Sequence, residues 1–370
     1  MANSAKILLV QLYSNGDCLY ATAVAKQIKL DYPGCHLTWA IASFCKSIIA
    51  HNPFVDAVLE VDITKNDVAA FRRLRKRFLA QEKDGAYDHV FITHNMDTNH
   101  SYYDGSIRSS ILKAYQHPIT VPVTPVLQLT ADEINAANSF AAEKRLGHYR
   151  HVVLFEFAPQ SGQLNITKES SISIAEAIVK HPGTAIILSS ANKVNHSNPA
   201  IIDGSSLSLR ETAALTHHCS LLLGCSSGIT WISTADAAKL LPMVQILNAQ
   251  TTWVNPISRD FERFNLPVQN VIELLEFNSE KIVLCVLAAL NDFAAARQLY
   301  NQPIPLHFKT TRSIVYNLLC YLEFGAILRH VKVNRQVYGN RLAFYKELVL
   351  GFIMFPFTLV KNIFRKHLFK

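Results

Sequence analysis

Lys6-Ile-Leu-Leu-Val-Gln-Leu12, followed by the loop Tyr13-Ser-Asn-Gly-Asp17 and an apolar-patterned run over residues 18–30, decides the fold. An apolar run without polar alternation predicts a strand buried on both faces, the habit of parallel sheets. The following run predicts a helix, stopped near Tyr32-Pro33-Gly34. Outward from this unit the pattern repeats. Strands are expected over residues 36–41, 57–61 and 88–93, with helices over 44–50, ending at Asn52-Pro53, and over the basic stretch 67–82. Strands alternating with helices predict a parallel sheet with right-handed crossovers.

Residues 94–130 are rich in His, Asn, Tyr and Ser and carry Pro118, Pro122 and Pro125, which predicts loop and linker around a helix over 106–115. A helix over 131–145 closes this part. The alternation then restarts, with strands over 151–157, 184–189, 220–224 and 243–247, and helices over 170–180, 209–216, 228–238 and 279–300. The expected class is therefore α/β, with two Rossmann-like domains over residues 1–145 and 150–300 facing a cleft. Open α/β sheets bind ligands beyond the carboxyl ends of their strands, so the cleft is the expected site.

The chain has 370 residues, 49% hydrophobic and 17% charged, which excludes a disordered chain and supplies two cores. Met1 to Lys6 leads straight into a strand, so no signal peptide is expected. The seven cysteines form no CxxC pair, which points to a reduced, cytoplasmic compartment and away from a zinc site. Residues 306–370 carry 11 Lys and Arg against two Glu, a net +9 that leaves −1 of the chain's +8 for the rest. Nucleic-acid binding would want a basic face on the folded body with a recognition motif, and the sequence offers no such motif. The tail contains an uncharged run over 348–360, interrupted by Gly351 and Pro356 and too short to span a bilayer. Phenylalanines and basic residues interleave at its end. That suits a helix lying on an anionic membrane surface, with a helical appendage packing on protein as the alternative.

Two strand-to-helix turns carry the chemistry. In Ser14-Asn15-Gly16-Asp17, Gly16 permits a close approach and Asp17 stands at the cleft edge, either as an acid–base group or as an N-cap. In Gly224-Cys225-Ser226-Ser227-Gly228-Ile229-Thr230, small residues let backbone N–H groups approach a phosphate, and an ordinary serine-capped turn is the alternative. Neither is a GxGxxG fingerprint, which argues against a nicotinamide oxidoreductase.

The segment from Gly16 through Val61 resembles the N-terminal domain of family 9 glycosyltransferases, the lipopolysaccharide heptosyltransferase family, in its Gly-Asp turn, Tyr-Pro-Gly, Asn-Pro and Val-Asp. Ser206 through Ala237 resembles that family's donor segment, in which a Leu-Ala-Ala-Leu helix precedes a Gly-x-Asp-Ser-Gly turn. The resemblance implies the GT-B fold and an inverting, metal-independent transfer with no cofactor, from a nucleotide-diphosphate sugar to a glycan or glycolipid acceptor. It implies Asp17 as the base for the acceptor hydroxyl. Gly16, Ser226, Ser227, Gly228 and Thr230 would serve the donor diphosphate, Lys168 or Lys193 would supply a cation, and Glu211 would meet the donor ribose. Surface roles for the lysines and a capping role for Glu211 remain alternatives. Tyr103, Asp104 and Arg108, with neighbouring Tyr102, are the candidates for acceptor contact. Ser226 stands where the family has Asp, Trp231 where it has His, and residues 159–168 lack its Trp-Pro. A binding or scaffold protein that keeps the fold is therefore the rival expectation. The leading one is a transferase on the cytoplasmic face of the membrane.

Overall fold

A computed structural model describes residues 4–157, 164, 166–248 and 256–368, with side chains as far as Val360. The first sheet is built from β1 (Lys6–Val10), followed by α1 (Asn15–Asp31), β2 (His36–Ala42), β3 (Ala57–Val61), α2 (Val68–Lys83) and β4 (His89–Ile92). Its strands are parallel in the order β3-β2-β1-β4. Residues 44–50, expected as an α-helix, form a 3₁₀ helix over Ser43–Ile49. A second 3₁₀ turn over Asp97–Tyr102 leads to α3 (Ile107–Ala114) and α4 (Ala131–Glu143).

The second sheet alternates β5 (His151–Glu156), α5 (Lys168–Ile178), β6 (Thr184–Ser189), β7 (Ile201–Asp203), α6 (Leu209–Leu215), β8 (Leu221–Gly224), α7 (Gly228–Ile232), β9 (Met243–Ile246), α8 (Ile257–Arg263) and β10 (Val271–Leu274). Its order is β10-β9-β8-β5-β6-β7, again all parallel. β7 and β10 were not expected from the sequence. The expected closing helix is two, α9 (Ser279–Asn291) and α10 (Phe293–Tyr300). Asp292 breaks it, with φ −148° and a side chain that accepts from the Ala295 N–H and so caps the second piece.

Alternate residues of β5 feed different cores. Val152 and Leu154 join an apolar cluster that runs on into the first sheet, while Val153 and Phe155 face the α5 and α9 side. In each sheet the chain reverses its direction of growth at the first strand, beside β1 and beside β5. Such switch points leave a crevice at the strands' carboxyl ends, where the two turns singled out above are found.

The tail forms α11 (Thr310–Leu319), α12 (Phe324–Tyr338) and α13 (Leu342–Leu368). It returns to the first sheet's side of the molecule. Asn334 Nδ2 donates to the Tyr103 carbonyl at 3.0 Å, Arg329 Nε to Ser101 Oγ at 2.8 Å, and Tyr338 Oη to the Asp104 carbonyl at 2.5 Å. Neither Gly351 nor Pro356 interrupts α13. Gly351 is a packing residue: a Cβ there would come within 2.9 Å of Val315 Cβ on α11.

Candidate functional site

After β1 the chain passes Ser14, which holds φ +70° and is the N-cap residue of α1, with no side-chain cap bond. Asp17 therefore sits in the first turn rather than at the cap, and no described hydrogen bond or ion pair engages its carboxylate. It faces a cavity of about 370 Å³ shared with Tyr13, Lys65, Asn66, Ser226 and Trp231. Burial pushes its carboxyl up to about 7, the range suited to a general base. Gly16 is needed for packing. A Cβ there would lie 3.1 Å from Trp231 Cδ1, and the indole packs edge-on against Tyr20 with ring centres 5.0 Å apart.

The second turn lies opposite. The register Phe155↔Leu223 sets Glu156, the last residue of β5, beside Gly224. From there the Glu156 carboxylate binds Cys225, Ser227, Ile229 and Thr230 of the turn. Oε1 accepts from the Ser227 hydroxyl and, at 3.0 Å, from the Ile229 N–H; Oε2 accepts from Thr230 Oγ1 at 2.7 Å and the Cys225 N–H at 3.3 Å. Gln245, in β9, takes the Ser226 N–H at 2.8 Å. Gly224 leaves room for this network: its Cβ would stand 2.5 Å from Thr230 Oγ1 and 2.8 Å from Gln245 Nε2.

The N–H groups of Cys225, Ser226 and Ile229, expected to meet a diphosphate, are therefore engaged by internal acceptors, as are the Ser227 and Thr230 hydroxyls. This corrects the expectation for the turn. A buried carboxylate stands where the ligand's negative charge was expected, and the cost of leaving those donors unpaired in a buried turn is what keeps it there.

A second cavity, about 470 Å³, opens beyond the carboxyl ends of β5 and β6. Glu156, Ser189, Ser190, Ser205, Ser208 and Thr212 line it, and among the described residues no Lys or Arg does. Asn15, Ser227 and Gly228 line both cavities, which makes them one cleft with Asp17 at one end. Among the described residues, the cation lining this cleft is Lys65, from the loop after β3.

Other expected site residues lie elsewhere. Lys168 opens α5 and donates to the Lys193 carbonyl at 3.1 Å; both lysines are exposed, and Lys193 lines a separate depression with Arg145 and Tyr149. Residues 158–163 and 165, in the segment without Trp-Pro, lie outside the described residues. Glu211 forms a capping box, its Oε2 accepting from the Ser208 N–H at 2.7 Å. The acceptor candidates are corrected as well. Tyr103, Asp104 and Arg108 are buried at 7%, 1% and 0% exposure. Asp104 pairs with Lys113 and Arg263. Arg108 Nε lies 3.2 Å from Asp260 Oδ2, under the rings of Tyr20, Trp231 and Phe264. These residues join the two halves of the molecule and are closed to an acceptor.

Lys65, Asn66, Glu156 and Gln245 were missed from the sequence. Glu156 and Gln245 had a signal: each is a polar residue in a short apolar strand of a parallel sheet, near the carboxyl edge where such sheets bind ligands. Lys65 and Asn66 had none beyond lying in a loop after a strand.

No protein-family model matches the chain. A stretch of 90 residues, 24% of the chain, is 33% identical to a Haemophilus influenzae protein that carries a glycosyltransferase name, and the match spans about a quarter of that protein's length. The fold resembles a glycosyl transferase family 9 structure from Veillonella parvula, with TM-score 0.51 and 14% identity over 77% of this chain and 92% of that one. It also resembles the Escherichia coli ADP-heptose lipopolysaccharide heptosyltransferase II, with TM-score 0.52 and 12% identity over 80% and 99%. With its two parallel sheets, the cleft at their switch points and its returning C-terminal helices, the chain has the GT-B fold of the glycosyltransferase family 9 structures it resembles.

Proposed function

We propose that the chain is a glycosyltransferase that inverts the anomeric centre without a metal, moving a heptose-like sugar from a nucleotide-diphosphate donor to a lipopolysaccharide or other surface-glycan acceptor. The observation that carries this is Asp17: an unpaired carboxyl, held near 7 by burial, facing a cleft that continues past the strand ends of the second sheet. Asp17 takes the proton of the acceptor hydroxyl as its oxygen attacks the anomeric carbon, and the nucleoside diphosphate leaves from the opposite face. The hydroxyl-lined cavity at Ser189, Ser190 and Ser208 receives the donor, and Lys65 faces the charge that develops on the leaving group. Transfer from ADP-heptose, the donor named for the Escherichia coli relative, is the first assay. Asp17→Asn abolishes transfer and leaves nucleotide affinity intact; substantial transfer by that variant excludes Asp17 as the base.

A binding or scaffold role is the second reading, and Glu156 favours it, because its carboxylate fills the turn and repels a diphosphate there. Absence of any thermal shift with nucleoside diphosphates and nucleotide sugars selects it.

We also propose that α13 rests on the cytoplasmic face of an anionic membrane. Leu342–Val360 has mean hydropathy 1.5 and is long and apolar enough to cross a membrane by length and composition. Its Phe344, Leu348, Gly351 and Phe355 face α11 and the neighbouring core, which favours lying over spanning. Val349, Phe352, Ile353, Phe357 and Val360 are 43–73% exposed at helical spacing, and form the face offered to lipid.

A further inference from the structure

Far from Asp17 in sequence, α2 and the turn joining α11 to α12 enclose a depression of about 390 Å³. Arg72, Arg75, Lys76 and Lys83 line it from a single helix, with Asp97 and Glu323 as its carboxylates. Arg72 is engaged: it pairs with Asp97, and its guanidinium carbon sits 3.2 Å from the centre of the Tyr321 ring. Arg75, Lys76 and Lys83 have no ion-pair partner among the described residues. Three cations therefore face a hollow that holds one uncommitted carboxylate.

The rim is apolar and exposed. Leu322 is 74% exposed, Leu328 71%, Phe324 56% and Tyr321 45%. Phe324 and Leu328 share one face of α12, four residues apart. Leu322 holds φ +58°, the left-handed region that a leucine enters only at a cost. The turn is fixed by the Leu322 N–H on the Leu319 carbonyl at 3.1 Å and the Glu323 N–H on the Leu318 carbonyl at 2.9 Å. A strained backbone that points a leucine into water, beside unpaired cations, calls for a partner.

We propose that this corner is a membrane-docking site: Arg75, Lys76 and Lys83 take the phosphate of an anionic phospholipid headgroup while Leu322, Phe324 and Leu328 enter the acyl boundary beneath it. A membrane offers negative charge layered over apolar chains, which matches cations beside projecting apolar side chains. A nucleic acid would leave the leucines and the phenylalanine in water. The site uses no residue of α13 or of the Asp17 cleft, so it stands or falls apart from both proposals above.

The test is co-sedimentation of the full chain with phosphatidylcholine vesicles, with and without phosphatidylglycerol. Arg75→Glu with Lys76→Glu weakens binding to the anionic vesicles at least about 25-fold, at about fivefold for each cation removed from the surface. Leu322→Gly weakens it too, and at the same time raises the melting temperature, because glycine adopts the left-handed backbone without strain. A turn that were only structural would not give that opposed pair of results. Unchanged vesicle binding by either variant overturns the site. So does binding lost only in Phe352→Ser with Phe357→Ser, which assigns the membrane contact to α13 alone. Millimolar inorganic phosphate that displaces the protein from vesicles and stabilises it equally well in solution reassigns the hollow to free phosphate. Heparin binding that falls in the charge variant, with vesicle binding intact, reassigns it to a polyanion.

Discussion

Asp17→Asn separates a working carboxylate from a bystander through stability as well as rate. Burial raises the Asp17 carboxyl from 3.8 to about 7. A folded-state value above the unfolded one means that folding favours the protonated form. The penalty on the ionised form is absent below about pH 4, grows as pH rises to about 7, and is complete above about pH 8. A rise from 3.8 to about 7 corresponds to about 4 kcal/mol at most. The carboxylate lines an open cavity and keeps part of its solvent, so about 1–3 kcal/mol is the expected share. Asparagine carries no charge and escapes that penalty. The variant should therefore melt several degrees above the parent at pH 8, with the gap closing as pH falls to 4. Calorimetry of both proteins over that range reads it directly. Transfer by the parent should show an acid limb near pH 7, and transfer by the variant should be lost. A stability gap that does not change with pH would refute the raised carboxyl, and with it the physical ground for Asp17 as base.

Glu156→Gln should lower stability by about 1–3 kcal/mol, since one oxygen of the acceptor pair is replaced by a donor facing donors; removing the charge should also tighten ADP binding, which titration calorimetry checks. Gly224→Ala forces a Cβ to within 2.5 Å of Thr230 Oγ1 and should cost about 1–3 kcal/mol in denaturant unfolding. Asp260→Ala leaves Arg108 buried without its partner and should cost about 3–5 kcal/mol; a loss below about 1 kcal/mol would mean that the aromatic rings alone hold the guanidinium. Ending the chain after Pro305 should give an insoluble or non-cooperative protein, because Tyr103 packs on Ile314, Leu318 and Ile327; a soluble fragment with a sharp melt would make the tail an accessory. Phe352→Ser with Phe357→Ser should weaken anionic vesicle binding about tenfold or more, with little change in melting temperature.

Much of the fold was legible because parallel strands buried on both faces leave unbroken apolar runs; β3 and β6 fall on the residues their runs predicted. β7, only three residues long, carries too little periodicity to be read, whereas β10 went unread although it is as long as β8 and β9. Asp292 broke a helix whose apolar pattern continues across it, a cap with no warning in the pattern. The site was half legible. A turn announces where a ligand approaches, and both turns lie at the sheets' switch points. Which atoms of a turn remain free depends on tertiary neighbours: Glu156, about 70 residues upstream of the turn it holds, claims the donors there. Tyr103 and Asp104 read as polar loop residues, and Arg108 as a cation at the start of a short helix, all suited to contact. Only the folded chain reveals their partners at Asp260, Arg263 and Asn334. The tail's composition suggested membrane and hid the packing, since apolar residues serve both.

The return of α12 to the first sheet has a consequence for biosynthesis. When a ribosome has released residues as far as Tyr300, every described strand of both sheets exists, yet the backbone of Ser101, Tyr103 and Asp104 still waits for His330, Asn334 and Tyr338. The first sheet's half is thus finished by a helix more than two hundred residues further along the chain. Contacts this distant along the chain close late and slowly. The nascent protein stays open at this seam until α12 has been made, and in that interval it depends most on chaperones.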